Sequence, residues 1–270
     1  SLQLFPNDVA AAELALLQAD ALYDGGRLEA AARQYEHAAY DYRRGDALLP
    51  AAGSNAYAAV QAWQRLAREG SAEARPAALQ ESVRASLRLA EQFPSHPQWA
   101  LIVTRAAGDL LALNEPEAAF AQATRVLAAQ PPAAPELRRE MLGVVADARY
   151  SQRDYLAAEA AYAELLRLLP AADPLRPAAS ERLARSVYEQ AVLARNAGDL
   201  KAAALAFQSG SAAPLNPAAT ALLERLKGRE LACIANKAGR KAKIEAEKAA
   251  WESELDGWTK VITTAGIKPE

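Results

Sequence analysis

The sequence predicts an all-α fold, a solenoid of antiparallel helix pairs followed by a helical C-terminal segment. Three observations predict it. Hydrophobic residues make up 51% of the 270, much of that alanine, and aromatics only 6%. Alanine is the best helix former, with leucine, arginine, glutamate and glutamine close behind, and β-branched residues are too sparse for an extensive sheet. A short pattern recurs: GRLEAAARQYEHA at 26–38, RDYLAAEAAYAEL at 153–165 and GDLKAAALAFQ at 198–208. Finally, PPAAP at 131–135 and PAADPLRP at 170–177 read as connectors, where proline stops one helix and can start the next.

Each part of the pattern has a physical cause. The turn positions are Gly26, Arg153 and Gly198, with a weaker copy turning at Asn114. A left-handed residue there ends the first helix and sends the chain back antiparallel. Leu28, Tyr155 and Leu200 begin the second helix. Ala31, Ala158 and Ala203, with Ala119 in the weaker copy, stand where the paired helices come closest. Tyr35, Tyr162 and Phe207 follow four residues later on the same helical face. Each pair leaves an apolar face that only stacking on a neighbour can bury. The turns are 88, 39 and 45 residues apart, so a degenerate copy is expected within 50–94. Helices are expected at 8–24, 28–43, 54–69, 75–93, 97–113, 116–129, 135–151, 155–168, 175–196 and 200–208.

This pattern resembles the tetratricopeptide repeat (TPR) family, with its turn, alanine, aromatic and a proline near the repeat end, here Pro50, Pro94, Pro131 and Pro170. The resemblance spans about residues 8–208. Arg153 and Asn114 depart from glycine, and the repeats are longer than the family's. It implies a right-handed superhelix of about five helix pairs whose first helices line a concave groove. On that resemblance the groove residues are Leu16, Asp20 and Tyr23 in the first repeat, Asp147 and Tyr150 in the fourth, and Tyr188, Val192 and Arg195 in the fifth. Tyrosine suits recognition because it combines an apolar ring with a polar tip, although each of these tyrosines could equally pack between helices. The arrangement also resembles repeat segments of large bacterial envelope-associated proteins, which implies a periplasmic, envelope or cytoplasmic setting.

A seam is expected near residue 210. SGSAAPLNP at 209–217 has the composition of a linker, between a repeat domain at 1–208 and a C-terminal segment at 218–270. Residues 1–200 hold twenty arginines and no lysine, whereas residues 201–270 hold all eight lysines and three arginines. Net charge changes from −5 before residue 201 to +3 after it. Helix propensity does not distinguish the two cations. The C-terminal segment is either a module of different origin or the polar terminal cap that a solenoid needs. Within it Ile244, Trp251, Leu255, Trp258 and Ile262 fall on one helical stripe, expected to dock on the last repeat as a cap or in the groove.

Little in the sequence points to catalysis. The two histidines, His37 and His96, have no cysteine or second histidine at ligand spacing, so no metal or cofactor is expected. No nucleophile elbow, P-loop or dinucleotide fingerprint occurs. Cys233 alone cannot form an intramolecular disulfide and reads as a small apolar residue. The basic run of Arg225, Lys227, Arg229, Lys237, Arg240, Lys241 and Lys243 could meet phosphates, but no aromatic is interleaved to stack bases. No run of about 18 apolar residues exists to span a membrane. The expectation is a non-catalytic scaffold binding a peptide or helix of a partner protein. The alternatives are a self-assembly module and a nucleic-acid adaptor.

Overall fold

The computed structural model describes residues 9–44, 46–199, 224, 228, 232, 235–250 and 253. The described residues form an all-helical fold apart from one two-residue ladder. Its elements are α1 (Val9–Asp24), α2 (Leu28–Tyr40), β1 (Arg43–Arg44), β2 (Ala47–Leu48), α3 (Ala52–Glu69), α4 (Arg75–Gln92), α5 (Trp99–Ala112), α6 (Pro116–Leu127), α7 (Pro135–Ser151), α8 (Tyr155–Leu168) and α9 (Arg176–Asn196). Residues 235–250 are also helical. No helix among the described residues is long and apolar enough to cross a membrane. The chain divides into two units, Ser1–Leu168 and Leu169–Glu270. The predicted helix at 200–208 and linker at 209–217 lie outside the described residues.

In the first unit each helix from α1 to α8 packs on the next, and α5 also packs on α7. The core follows this order. Ala31, Tyr35, Val60, Trp63, Leu89 and Ile102 join one cluster, and Val103, Leu110, Ala123, Val126 and Met141 join another. Ala31, Ala119 and Ala158, the close-contact alanines of the pattern, are completely buried.

The turns explain the repeat. Gly26, Asn114, Arg153 and Gly198 have φ of 72°, 61°, 62° and 85°, so all four predicted turn positions are left-handed. The amide after each donates five residues back: Arg27 to Leu22, Glu115 to Leu110, Asp154 to Arg149 and Asp199 to Ala194, at 2.9–3.0 Å. These bonds satisfy the last carbonyls of the first helix and fix the reversal. Asp154 then caps α8, its Oδ1 accepting the Ala157 amide at 3.2 Å.

The degenerate copy is the α3–α4 hairpin, and its turn differs in kind. Gly70 has φ of −67°, and a longer connection carries the chain to α4. Gly70 is needed here for space: a Cβ would lie 2.5 Å from the Leu66 carbonyl oxygen. The Arg75 guanidinium donates to the Gly70 carbonyl at 2.8 Å and closes the turn.

The early end of one helix has a visible cause. α2 stops at Tyr40, not residue 43, because Tyr42 turns inward among Ala11, Ala12, Ala15 and Ala38. Arg43 and Arg44 then pair antiparallel with Leu48 and Ala47.

Candidate functional site

The first helices carry the predicted groove residues, and the structure gives several of them internal partners. On α1, Leu16 is half-buried against the core. Asp20 is exposed, and its Oδ1 accepts the Tyr35 hydroxyl at 2.6 Å. Tyr23 meets Tyr35 edge-to-face at 6.4 Å, and the Arg65 guanidinium covers it at 5.1 Å. On α7, the half-buried Asp147 accepts the Tyr162 hydroxyl, and Tyr150 meets Tyr155 edge-on at 5.2 Å. Tyr188 and Val192 are half-buried on α9 in the second unit, where Tyr188 packs on Ala184 and Val187. Arg195 lies in the last turn of that helix.

A rule links the aromatic to the helix before it. At two of the turns the residue six before the turn accepts a hydrogen bond from the residue nine after it. The pair is Asp20–Tyr35 in the first copy and Asp147–Tyr162 in the copy turning at Arg153, both hydrogen-bonded. The same offsets give Gly108 and Ala123 around Asn114, and Val192 and Phe207 around Gly198. The fifteen-residue spacing was the signal by which the sequence could have shown these pairs.

Where that rule places glycine, a cleft opens. It has a volume of about 310 Å³ and is lined by Gln64 and Arg68 of α3, Leu79 and Ser82 of α4, Arg105, Gly108 and Asp109 of α5, and Glu140 of α7. α3, α5 and α7 are the first helices of three successive hairpins. The Arg105 guanidinium reaches across to α3 and donates to Gln64 Oε1 at 3.2 Å. Burial pushes the Asp109 carboxyl above its usual range, and the Arg105 charge opposes that shift. The Ser82 hydroxyl is buried and has no hydrogen-bond partner among the described residues. The sequence analysis singled out none of these residues, because polar residues on a helix face carry no motif.

A polar brace joins α2, α3 and α4. Glu36 accepts from Trp63 Nε1 at 2.9 Å and from Arg84 Nη2 at 3.0 and 3.1 Å, tying α2, α3 and α4 together. Arginine also covers Trp63, Tyr40, Trp99 and Phe120, with Arg88 only 3.6 Å above Tyr40 and Arg149 3.9 Å above Phe120. Arg138 and Arg176 donate to the Leu127 and Leu169 carbonyls at 2.9 and 2.8 Å. A planar guanidinium can stack and cap in ways an ammonium cannot, a structural use for the arginine-only region before the seam.

His37 Nδ1 pairs with Asp41, and its Nε2 lies 3.3 Å from the Tyr42 hydroxyl. His96 Nδ1 accepts the Gln98 amide at 3.1 Å, and burial lowers its pKa. Among the described residues, no group of three or more His, Cys, Asp or Glu is placed to hold a metal ion. Lys237, Arg240, Lys241 and Lys243 are exposed along helix 235–250, and Lys241 pairs with Glu245 at 3.8 Å. Ile244 is 64% exposed. Arg225, Lys227, Arg229 and Cys233 lie outside the described residues, as do Trp251, Leu255, Trp258 and Ile262.

No family profile matches the chain. A stretch of 41 residues is 56% identical to a sulfoacetaldehyde acetyltransferase of Castellaniella defragrans. It covers 15% of this chain and 7% of that protein, too little to carry its activity here.

Proposed function

We propose that the protein is a non-catalytic interaction scaffold, a TPR-like solenoid whose first-helix face receives a peptide or helix of a partner protein. The observation that carries this reading is the cleft shared by α3, α5 and α7, with Leu79 and Ser82 of α4 completing its lining. Three of its four helices are first helices, which the resemblance assigns to the groove, and Leu16, Tyr23 and Tyr150 are half-buried on first helices too. Recognition of this kind uses apolar anchors with polar contacts at the rim. The proposed setting is bacterial, in the envelope or the cytoplasm.

A second reading, self-assembly, is favoured by α1, where Leu14 and Leu17 are 55% and 63% exposed at helical spacing. The readings separate by experiment. Affinity purification from source-cell extract, followed by mass spectrometry, should recover a protein that is lost from a Tyr23→Ala/Tyr150→Ala variant. Glu159→Gln should retain it. Recovery indifferent to the tyrosine change contradicts the groove. Growth in particle size with the chain's own concentration favours assembly, and nucleic-acid affinity that falls steeply with salt favours the adaptor role.

A further inference from the structure

The α3/α5/α7 cleft has features that partner binding does not require. Its four charged residues are two guanidiniums and two carboxylates, so its formal charge is zero. The charges come from three helices, and α5 supplies one of each sign. Arg68 belongs to α3, and Arg105 is bonded to Gln64 of the same helix. Glu140 belongs to α7, and the half-buried Asp109 lies one turn beyond Arg105 on α5. A simple anion entering here meets two carboxylates, and a simple cation meets two guanidiniums. A compact molecule carrying both charges meets a complementary group at each end.

The cleft also has room and an unused polar group. Gly108 lines it, and a Cβ built there meets nothing within 4 Å. The corresponding positions in the other copies carry Asp20, Asp147 and Val192, so the missing side chain is particular to this repeat. Ser82 also lines the cleft, and its hydroxyl is buried with no partner among the described residues, which costs free energy. The volume of about 310 Å³ is at the small end for ligand sites.

We propose that this cleft binds a small zwitterion of the α-amino-acid class. Its carboxylate faces Arg68 and Arg105, its ammonium faces Asp109 and Glu140, and Ser82 supplies a further hydrogen bond. Charge-assisted bonds of this kind are stronger than neutral ones. The cleft is the one on which the scaffold reading leans, but the zwitterion proposal does not rest on that reading and is tested without a partner protein.

The test is an amide-resolved NMR titration of the full chain with the proteinogenic L-amino acids, one at a time, at millimolar concentration. At least one should shift the Gly108 and Asp109 amides saturably. Its N-acetyl and carboxamide derivatives, each lacking one charge, should bind about tenfold more weakly or worse. Gly108→Leu fills the cleft with a good helix former, so it should abolish the shifts while thermal stability holds. Arg105→Gln and Asp109→Asn should each weaken binding by about tenfold. The proposal is overturned if no amino acid shifts these amides. It is also overturned if the blocked derivatives bind equally well, which marks a peptide-anchoring site, or if Gly108→Leu binds as the parent does.

Discussion

Arg153 occupies a left-handed turn position where Gly26 and Gly198 stand in other copies, at φ of 62°. A side chain in that region costs about 1–2 kcal/mol, partly offset by the larger unfolded-state entropy of glycine. Arg153→Gly should therefore stabilise the protein by about 0.5–1 kcal/mol, measured by urea denaturation. Gly26→Ala should destabilise it by about 1 kcal/mol, although open space surrounds its Cβ position. The tyrosine–aspartate pairs give a second contrast. Tyr35→Phe leaves the exposed Asp20 to water and should cost about 0.5–1.5 kcal/mol. Tyr162→Phe takes a donor from the half-buried Asp147 and should cost about 1.5–3 kcal/mol. At this scale the turns were legible in the sequence, because one residue fixes the local backbone. The pairs were not read, because their fifteen-residue spacing shows only once the turns are aligned and each aspartate is matched to its tyrosine.

Helices are mostly legible because proline, alanine and turn residues act locally. Their ends were less so. Nothing local announces that Tyr42 leaves the helix for the core, or that Gly70 is held by close approach to Leu66 and not by φ. Gly70→Ala should therefore destabilise by about 1–3 kcal/mol through crowding, read as a lower urea midpoint. Ala158→Leu should cost a similar amount, about 1–3 kcal/mol, since Ala158 is fully buried between paired helices. The α2–α4 contact also predicts an alkaline limit. Burial pushes the Tyr40 hydroxyl from 10 up to about 12, opposed by the Arg88 guanidinium and helped by Glu36. The folded state thus holds a proton that the unfolded chain releases. Stability from this group is full below pH 10 and falls as pH rises toward about 12. Tyr40→Phe should flatten that fall in alkaline unfolding curves. Tyr35, also raised by burial, leaves a residual slope in that variant.

Across the molecule, composition and repeat pattern were enough for an all-helical chain, because alanine-rich sequence with recurring tight turns has few other ways to bury itself. The cleft was not legible. It depends on a missing side chain at Gly108 and on charges from α3, α5 and α7 that lie far apart in sequence. The scaffold reading makes one statement about the whole molecule: the partner lies along the first helices. Hydrogen–deuterium exchange of the complex with the recovered partner tests it most directly. The account predicts slowed exchange in α1, α3, α5 and α7, with α2, α6 and α8 unchanged. Protection confined to residues 235–250 or to the second helices contradicts it.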